Sequence, residues 1–189
     1  MSLVIKLGGS LIHNSALKAC LDYAASLSVN TVIVPGGGVF ADQVRVTQQH
    51  CQFDDQAAHQ MAILAMQQTA IMLNNLKPEF KIFKQISALS HLSKQAIWSP
   101  DIADLDHAKI PASWDITSDS LAAWLAIQWQ AKLLLIIKSS PIDSQSSLSA
   151  LQAQGVLDGG FMHFAQQFTG KIQVINYHSF ITSAHDQFA

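Results

Sequence analysis

"VIKLGGSL", residues 4–11, decides how the rest of the chain is read. Val4, Ile5 and Leu7 form a buried-strand pattern, and Gly8, Gly9 and Ser10 form a tight turn out of it. Lys6 interrupts the apolar run, and an ammonium inside a strand is costly unless it reaches water or an anion. A lysine in this position marks the end of the strand as a place for an anion.

Downstream, residues 16–27 carry Leu17, Ala19, Cys20, Leu21, Ala24 and Leu27 on one wide apolar stripe, which predicts a helix. "TVIVPGGG", residues 31–38, then repeats the opening pattern: a β-branched run, a stop at Pro35, and Gly36, Gly37 and Gly38. Two successive strand, glycine-turn and helix units predict an α/β alternation around a parallel sheet. Asp54 and Asp55 can cap a long helix that runs to about Leu76, with Pro78 beyond it. This helix is apolar on more than one face, so it is either sandwiched in the core or meets another subunit.

The second half continues the alternation. Short strands at 81–83 and 96–98 flank a small helix at 87–93, and 101–111 reads as a loop. "WDITSDSLAAWLAIQWQ", residues 114–130, opens with cap-forming residues and places Leu121, Leu125 and Trp129 at four-residue spacing, a helix. "AKLLLIIKSS", residues 131–140, is a central parallel strand ending in Lys138. A serine-rich loop over 139–149, a short helix near 149–154, the turn "GVLDGG", a helix over 161–167 and a strand at 171–177 complete the pattern. The expected fold is α/β, a three-layer αβα sandwich with a mainly parallel central sheet, in a single domain over residues 1–189.

Composition narrows the function classes. The chain has 189 residues, 49% of them hydrophobic and 13% charged, with a formal net charge of −2. That is enough apolar material for a sizeable core and gives no electrostatic case for nucleic acid or an anionic membrane. A small-molecule partner is expected. Cys20 and Cys51 lie far apart without a CxxC spacing, which predicts buried thiols and a reducing compartment. The apolar stretch "MAILAMQQTAIMLNNL" is broken by Gln67, Gln68, Asn74 and Asn75, so no membrane span is expected. The N-terminal stretch has neither a basic leader nor a small-residue cleavage site, and a cytoplasmic location is expected.

Parallel α/β sheets bind ligands outside the carboxyl ends of their strands. Three such ends carry suitable chemistry here: Lys6 with Gly8, Gly9 and Ser10; Gly36, Gly37 and Gly38; and Lys138 with Ser139 and Ser140. Their convergence would make an anion site, with phosphate the obvious anion. Neither turn matches the P-loop or dinucleotide fingerprint. Taken singly, each feature also has an ordinary reading. A Gly-Gly pair can be a plain βα turn, a strand-end lysine can snorkel, Asp119 can be a first-turn helix acid, and His59 can be a packed or surface histidine.

In this order "VIKLGGSL", "VPGGGVFAD", "ITSDSLAAWLA" and "LLLIIKS" resemble the amino-acid kinase superfamily, which includes acetylglutamate, aspartate, uridylate, carbamate and isopentenyl phosphate kinases. The resemblance covers residues 3–140. "AHQMAILAM" and "SWDITSDSLAAWLA" are closer to the small kinases assigned to methanofuran biosynthesis, which phosphorylate an aminomethylfuran methyl phosphate to the diphosphate.

The resemblance implies an ATP- and Mg²⁺-dependent phosphotransferase, with the acceptor over the N-terminal half and the nucleotide over the C-terminal half. It implies that Lys6 reaches the transferring phosphoryl group and that Asp119 organises the lysines. Gly8, Gly9 and Ser10 would hold the ATP phosphates, with Lys138 and Ser139 near the nucleotide. Gly36, Gly37 and Gly38 would line the acceptor pocket, with His59 as a candidate pocket residue, and Thr117 or Ser118 would contact nucleotide or acceptor. Helices like that of residues 55–76 often form a dimer in relatives, so a homodimer through this helix stands beside full coverage within one chain; no metal-ligating residue is singled out. A carboxylate or phosphate acceptor needs no general base, so cations and positioning suffice.

The departures from the pattern are specific. "DGGFMHFAQQ" puts Phe164 where relatives carry a second lysine, leaving His163, Lys171 or Lys138 to replace it, and the tail lacks the relatives' glycine-threonine ending. Two other readings therefore stay open: a non-catalytic ligand-binding or regulatory module, and an oligomer-forming scaffold.

Overall fold

The structure, a computed structural model, describes residues 2–13, 16–92, 94–184 and 188. Six strands form one sheet: β1 (Ser2–Leu7), β2 (Asn30–Pro35), β3 (Lys81–Phe83), β4 (Gln95–Trp98), β5 (Leu133–Lys138) and β6 (Lys171–Asn176). They pair in parallel in the order β3-β4-β2-β1-β5-β6, so β1 lies between β2 and β5. The chain leaves β1 towards β2 and returns on its other side with β5. This reversal opens a crevice at the carboxyl end of β1, where open α/β sheets bind ligands.

The alternation of side chains along β1 divides the core in two. Leu3, Ile5 and Leu7 pack on one face with Leu17, Cys20, Leu21 and Ala24 of α1 (Ala16–Ser26). Val4 points to the other face, towards Leu121 and Leu125 of α5 (Ser118–Gln128). Residues 118–126 of α5 are all buried. That explains the weak polar/apolar segregation of its sequence: a helix covered all round has no solvent face to mark.

Two helices separate β2 from β3. α2 (Gly38–Cys51) follows the second glycine turn, and α3 (Asp55–Leu76) starts at Asp54, whose carboxylate accepts the N–H of Ala57 at 2.8 Å. α3 contributes Ile63 and Met66 to one core and Ala70 and Leu73 to the other. It also leaves Met61, Leu64 and Ile71 exposed at 38%, 46% and 64%, so core packing accounts for only part of its apolar surface.

Several expectations are corrected. Residues 101–111 contain a helix, α4 (Ile102–His107), capped by the Asp101 carboxylate on the Ala103 N–H and anchored by buried Leu105. The chain between β3 and β4 forms a 3-10 turn, Ile86–His91; residue 93 lies outside the described residues. α6 (Leu148–Ala153) begins one residue after the Ser147 cap, and α7 is Phe161–Ala165. The last strand stops at Asn176, because the Asn176 side chain caps a further helix, α8 (Tyr177–Thr182), by accepting the His178 N–H. Cys20 is buried as expected, but Cys51 is exposed at the end of α2. Among the described residues no helix is long and apolar enough to cross a membrane.

Candidate active site

The two glycine turns touch. Gly36 donates its N–H to Leu7 O at 2.9 Å, and a Cβ added to Gly9 would run into the Gly38 backbone. A side chain at Gly9 would therefore push the turns apart, and Gly38 adopts φ +53°, which an L side chain rarely tolerates. Gly8 donates its N–H to Ile137 O at 3.3 Å, which makes it the joint between β1 and β5. The second turn leads straight into α2, whose first-turn N–H groups lack intrahelical acceptors. On the other side of the crevice the Ser10 and Ser139 hydroxyls lie 2.8 Å apart, and Asn176 donates to Ser139 O and Ser140 O. The turns after β1, β2 and β5 thus form one continuous edge.

Lys6 and Lys138 meet at this edge. Lys6 pairs in register with Ile136, and Lys138 lies one side-chain repeat further along the same face of β5. Asp119, in the first turn of α5, bridges them. Its Oδ1 lies 2.8 Å from Lys6 Nζ and its Oδ2 accepts a hydrogen bond from Lys138 Nζ at 2.7 Å. The Lys6 contact is an ion pair without the alignment of a hydrogen bond. All three side chains are largely buried, at 6%, 5% and 14% exposure for Lys6, Asp119 and Lys138.

Burial alone would raise the Asp119 carboxyl, but the two ammoniums outweigh it and hold the group below the ordinary carboxylate range. Burial and the Lys6 charge lower Lys138, against the opposing pull of Asp119 and Asp158. Two cations around one carboxylate leave a net positive charge, the electrostatic condition for receiving a polyphosphate.

Beside this cluster is a cavity of about 300 Å³. Gly9, Ser10 and Gly36, Gly37 and Gly38 line its inner end, and Ile63, Met66, Ile116 and Leu121 supply an apolar wall. Asp42, Arg45 and Asp55 stand at the exposed rim. The Arg45 guanidinium sits 4.0 Å above the Trp114 ring, and Trp114 donates its indole N–H to Gln48 Oε1 at 2.7 Å. Gln48 in turn donates to Asp55 Oδ1, so one amide ties the Trp114 loop to the start of α3.

Of the predicted site residues, Lys6, Asp119 and Lys138 form the cluster, and Ser118 and His59 line the cavity. His59 is 7% exposed, its Nε2 has no hydrogen-bond partner among the described residues, and burial lowers its proton affinity, with Asp106 opposing. Thr117 also borders the cavity, but both its N–H and its hydroxyl donate to Asp158.

Of the three replacements for the second lysine, only Lys138 is in the cluster. Lys171 begins β6, opposite Leu133, at the far end of the strands, and His163 packs edge-on to Phe164 on α7. Phe164 is itself a core residue at 5% exposure, so its position faces the interior. Sequence reasoning missed Arg45, Trp114 and Asp158. Arg45 is the only arginine in the chain and falls on the helical face of Gly38 and Asp42, a signal that was available.

The sequence model of the amino acid kinase family matches residues 1–142, three quarters of the chain. The chain belongs to this family. A relative from Methanocaldococcus jannaschii, a (5-(aminomethyl)furan-3-yl)methyl phosphate kinase, is 33% identical over 131 residues, covering 65% of this chain and 58% of the relative. The match thus spans less than two thirds of that relative's length. Among solved structures, uridylate kinase from Archaeoglobus fulgidus superposes with a TM-score of 0.70 at 17% identity, over 100% of this chain and 94% of that one. UMP kinase from Bacillus anthracis gives 0.70 at 16% identity, over 94% and 87%. At these identities the two structures establish the amino-acid kinase fold, with its parallel sheet and flanking helices.

Proposed function

We propose that the protein is an ATP-dependent small-molecule kinase that phosphorylates a compact phosphate monoester, an aminomethylfuran methyl phosphate, to the diphosphate. The observation that carries this reading is the Lys6–Asp119–Lys138 bridge beside the cavity at the carboxyl edge of β1 and β5. The similarity to the archaeal phosphate kinase supports the acceptor class.

The acceptor phosphate is already a nucleophile at neutral pH, so the reaction asks for alignment and cations. One of its oxygens attacks the γ-phosphorus, the bond from that phosphorus to the β,γ-bridging oxygen breaks, and ADP leaves with the bonding pair. Lys6 and Lys138 face the charge spread over the transferring group, and Asp119 keeps the two ammoniums together against their mutual repulsion. Mg²⁺ would be carried by the nucleotide phosphates and would offset part of their charge. In the acceptor pocket the wall of Ile63, Met66 and Leu121 suits a small ring, and Asp42 and Asp55 at the rim offer charge opposite to an ammonium.

The free thiols of Cys20 and Cys51 fit work in a reducing cytoplasm. The exposed stripe of Met61, Leu64 and Ile71 on α3 fits a homodimer, checked by sedimentation across a range of protein concentrations.

The test is ³¹P NMR of the protein with MgATP and the aminomethylfuran methyl phosphate. The expected result is loss of the γ-resonance together with growth of ADP and of a new diphosphate, absent with Lys6→Ala. Binding of MgATP, seen as a raised melting midpoint, with no turnover of this or related phosphate monoesters would replace the kinase with a ligand-binding module.

A further inference from the structure

Thr117 precedes α5 in the N-cap position, yet its side chain makes no cap bond to the helix. A threonine there ordinarily accepts an N–H from the first turn. Here its hydroxyl donates outward, to Asp158 Oδ2 at 2.8 Å, and its N–H donates to the same oxygen at 2.9 Å. Ser120 donates its N–H to Asp158 Oδ2 at 3.0 Å and its hydroxyl to Oδ1. One carboxylate, remote in sequence, therefore takes four hydrogen bonds from the residues on either side of Asp119. It also places a negative charge at the positive end of an eleven-residue helix.

The glycines after Asp158 make this approach possible. Gly160 donates its N–H to Asp115 O at 2.6 Å, and a Cβ on Gly160 would lie 2.7 Å from Ile116 Cγ1. The "DGG" turn is thus shaped to lie against the start of α5.

We propose that Asp158 is a positioning residue for the phosphoryl-transfer site: it clamps the first turn of α5 so that Asp119 can bridge Lys6 and Lys138. The assignment rests on the kinase reading for its catalytic meaning, while the clamp can be tested without it. Asp119 can hold two ammoniums only if its backbone stays put. Without the clamp the first turn frays, Asp119 withdraws, and Lys6 and Lys138 face each other with less compensation. The charged groups facing Lys138 are Lys6 from β1, Asp119 from α5 and Asp158 itself. Loss of the Asp158 charge and displacement of Asp119 act in the same direction: each makes the Lys138 ammonium easier to deprotonate.

The test is Asp158→Asn in the full chain, with two readouts. In the ligand-free protein, competitive acetylation of lysines across pH, resolved by mass spectrometry, gives a midpoint for each amine. The Lys138 midpoint is expected to fall by about half a unit or more, with Lys171 unchanged. In turnover with MgATP and the phosphate acceptor, kcat is expected to fall about tenfold or more while KM for ATP moves by less than about threefold.

A folded variant with an unchanged Lys138 midpoint and unchanged kcat overturns the proposal and leaves Asp158 a cap with no influence on the site. If the native protein does not turn over, the kinase reading fails, yet Ser120→Ala, which removes one donor and keeps the Asp158 charge, still decides the clamp: its Lys138 midpoint moves only if Asp119 is displaced. If Asp158→Asn does not fold, Ser120→Ala removes one donor while keeping the charge. It is expected to move the Lys138 midpoint in the same direction, and no movement there overturns the proposal.

Discussion

On one face of β1, Leu3, Ile5 and Leu7 meet α1 around Cys20; on the other, Val4 and Lys6 meet α5 around Asp119. Both faces are closed to water, and the same strand supplies both. The residues that β1 itself sends to the α1 face, Leu3, Ile5 and Leu7, are all apolar and hold the strand against that layer. The α5 face is apolar along most of its length and becomes ionic only at the carboxyl edge, where Lys6 and Lys138 come within reach of the turns. The difference shows how an α/β sheet separates stability from chemistry. Period-two alternation sends neighbouring residues to opposite layers, and distance along the strand decides which of them reaches the ligand edge.

The sharpest way to break this comparison is to change adjacent residues. Lys6→Met keeps much of the side-chain volume and leaves Asp119 paired with Lys138, so the fold should survive. Its turnover should fall about a thousandfold or more, because a cation facing the transferring group is removed. Initial rates measured beside the native protein's circular dichroism check both halves of that expectation.

Asp119→Ala should act on both stability and activity. It leaves two largely buried ammoniums without their shared partner, an expected loss of about 3–5 kcal/mol in urea unfolding. The pH dependence carries the sign. Because Lys6 and Lys138 hold the folded Asp119 carboxyl below its unfolded value, its stabilisation is full above the ordinary carboxylate range and is lost as pH falls through the folded value. That part of the acid-induced loss of stability should be missing in Asp119→Ala. Ile5→Ala, one residue from Lys6, should cost about 2–5 kcal/mol through a cavity under α1 while leaving kcat per folded molecule unchanged. A selective loss of kcat there would mean that the two faces are not separable.

The parts of the site legible in the sequence are those marked by local punctuation. Lys6 breaks an apolar run, Gly8–Gly9 and Gly36–Gly37–Gly38 follow β-branched strands, and Asp119 stands in the first turn of a capped helix. Each signal lies within a few residues of the structure it creates. The Asp158 clamp and the Trp114–Gln48 tie join residues 38 to 66 positions apart, and only the folded sheet brings them together. α4 and α8 have six residues each, too few for a helical period to stand out, so their caps were their only signal. The resemblance puts Phe164 where relatives carry a lysine; its burial shows that this part of α7 serves the core. Cys51 is exposed against expectation because the helix it closes has only Val44 buried, and its sequence gives little sign of which face is covered.

The smallest expected effect tests whether the two faces open together. Cys20 lies on the buried face of α1, with its thiol pushed up to about 12 by burial, whereas Cys51 is exposed. With iodoacetamide at pH 8, the exposed Cys51 should be labelled without any opening of the fold and Cys20 only when the α1 face opens. In the proposed arrangement MgATP sits at the carboxyl edge of the sheet, and neither cysteine lines the cavity there. If Cys20 is released only by global unfolding, saturating MgATP should slow its labelling by the factor by which ligand stabilises the folded state, and leave Cys51 unchanged. If α1 can lift away by itself, MgATP should have no effect on Cys20, because the opened form would still hold the ligand. The first outcome makes β1 a single cooperative element joining the two layers. The second makes the α1 face a separately opening unit, and the division between stability and chemistry then extends to how the molecule unfolds.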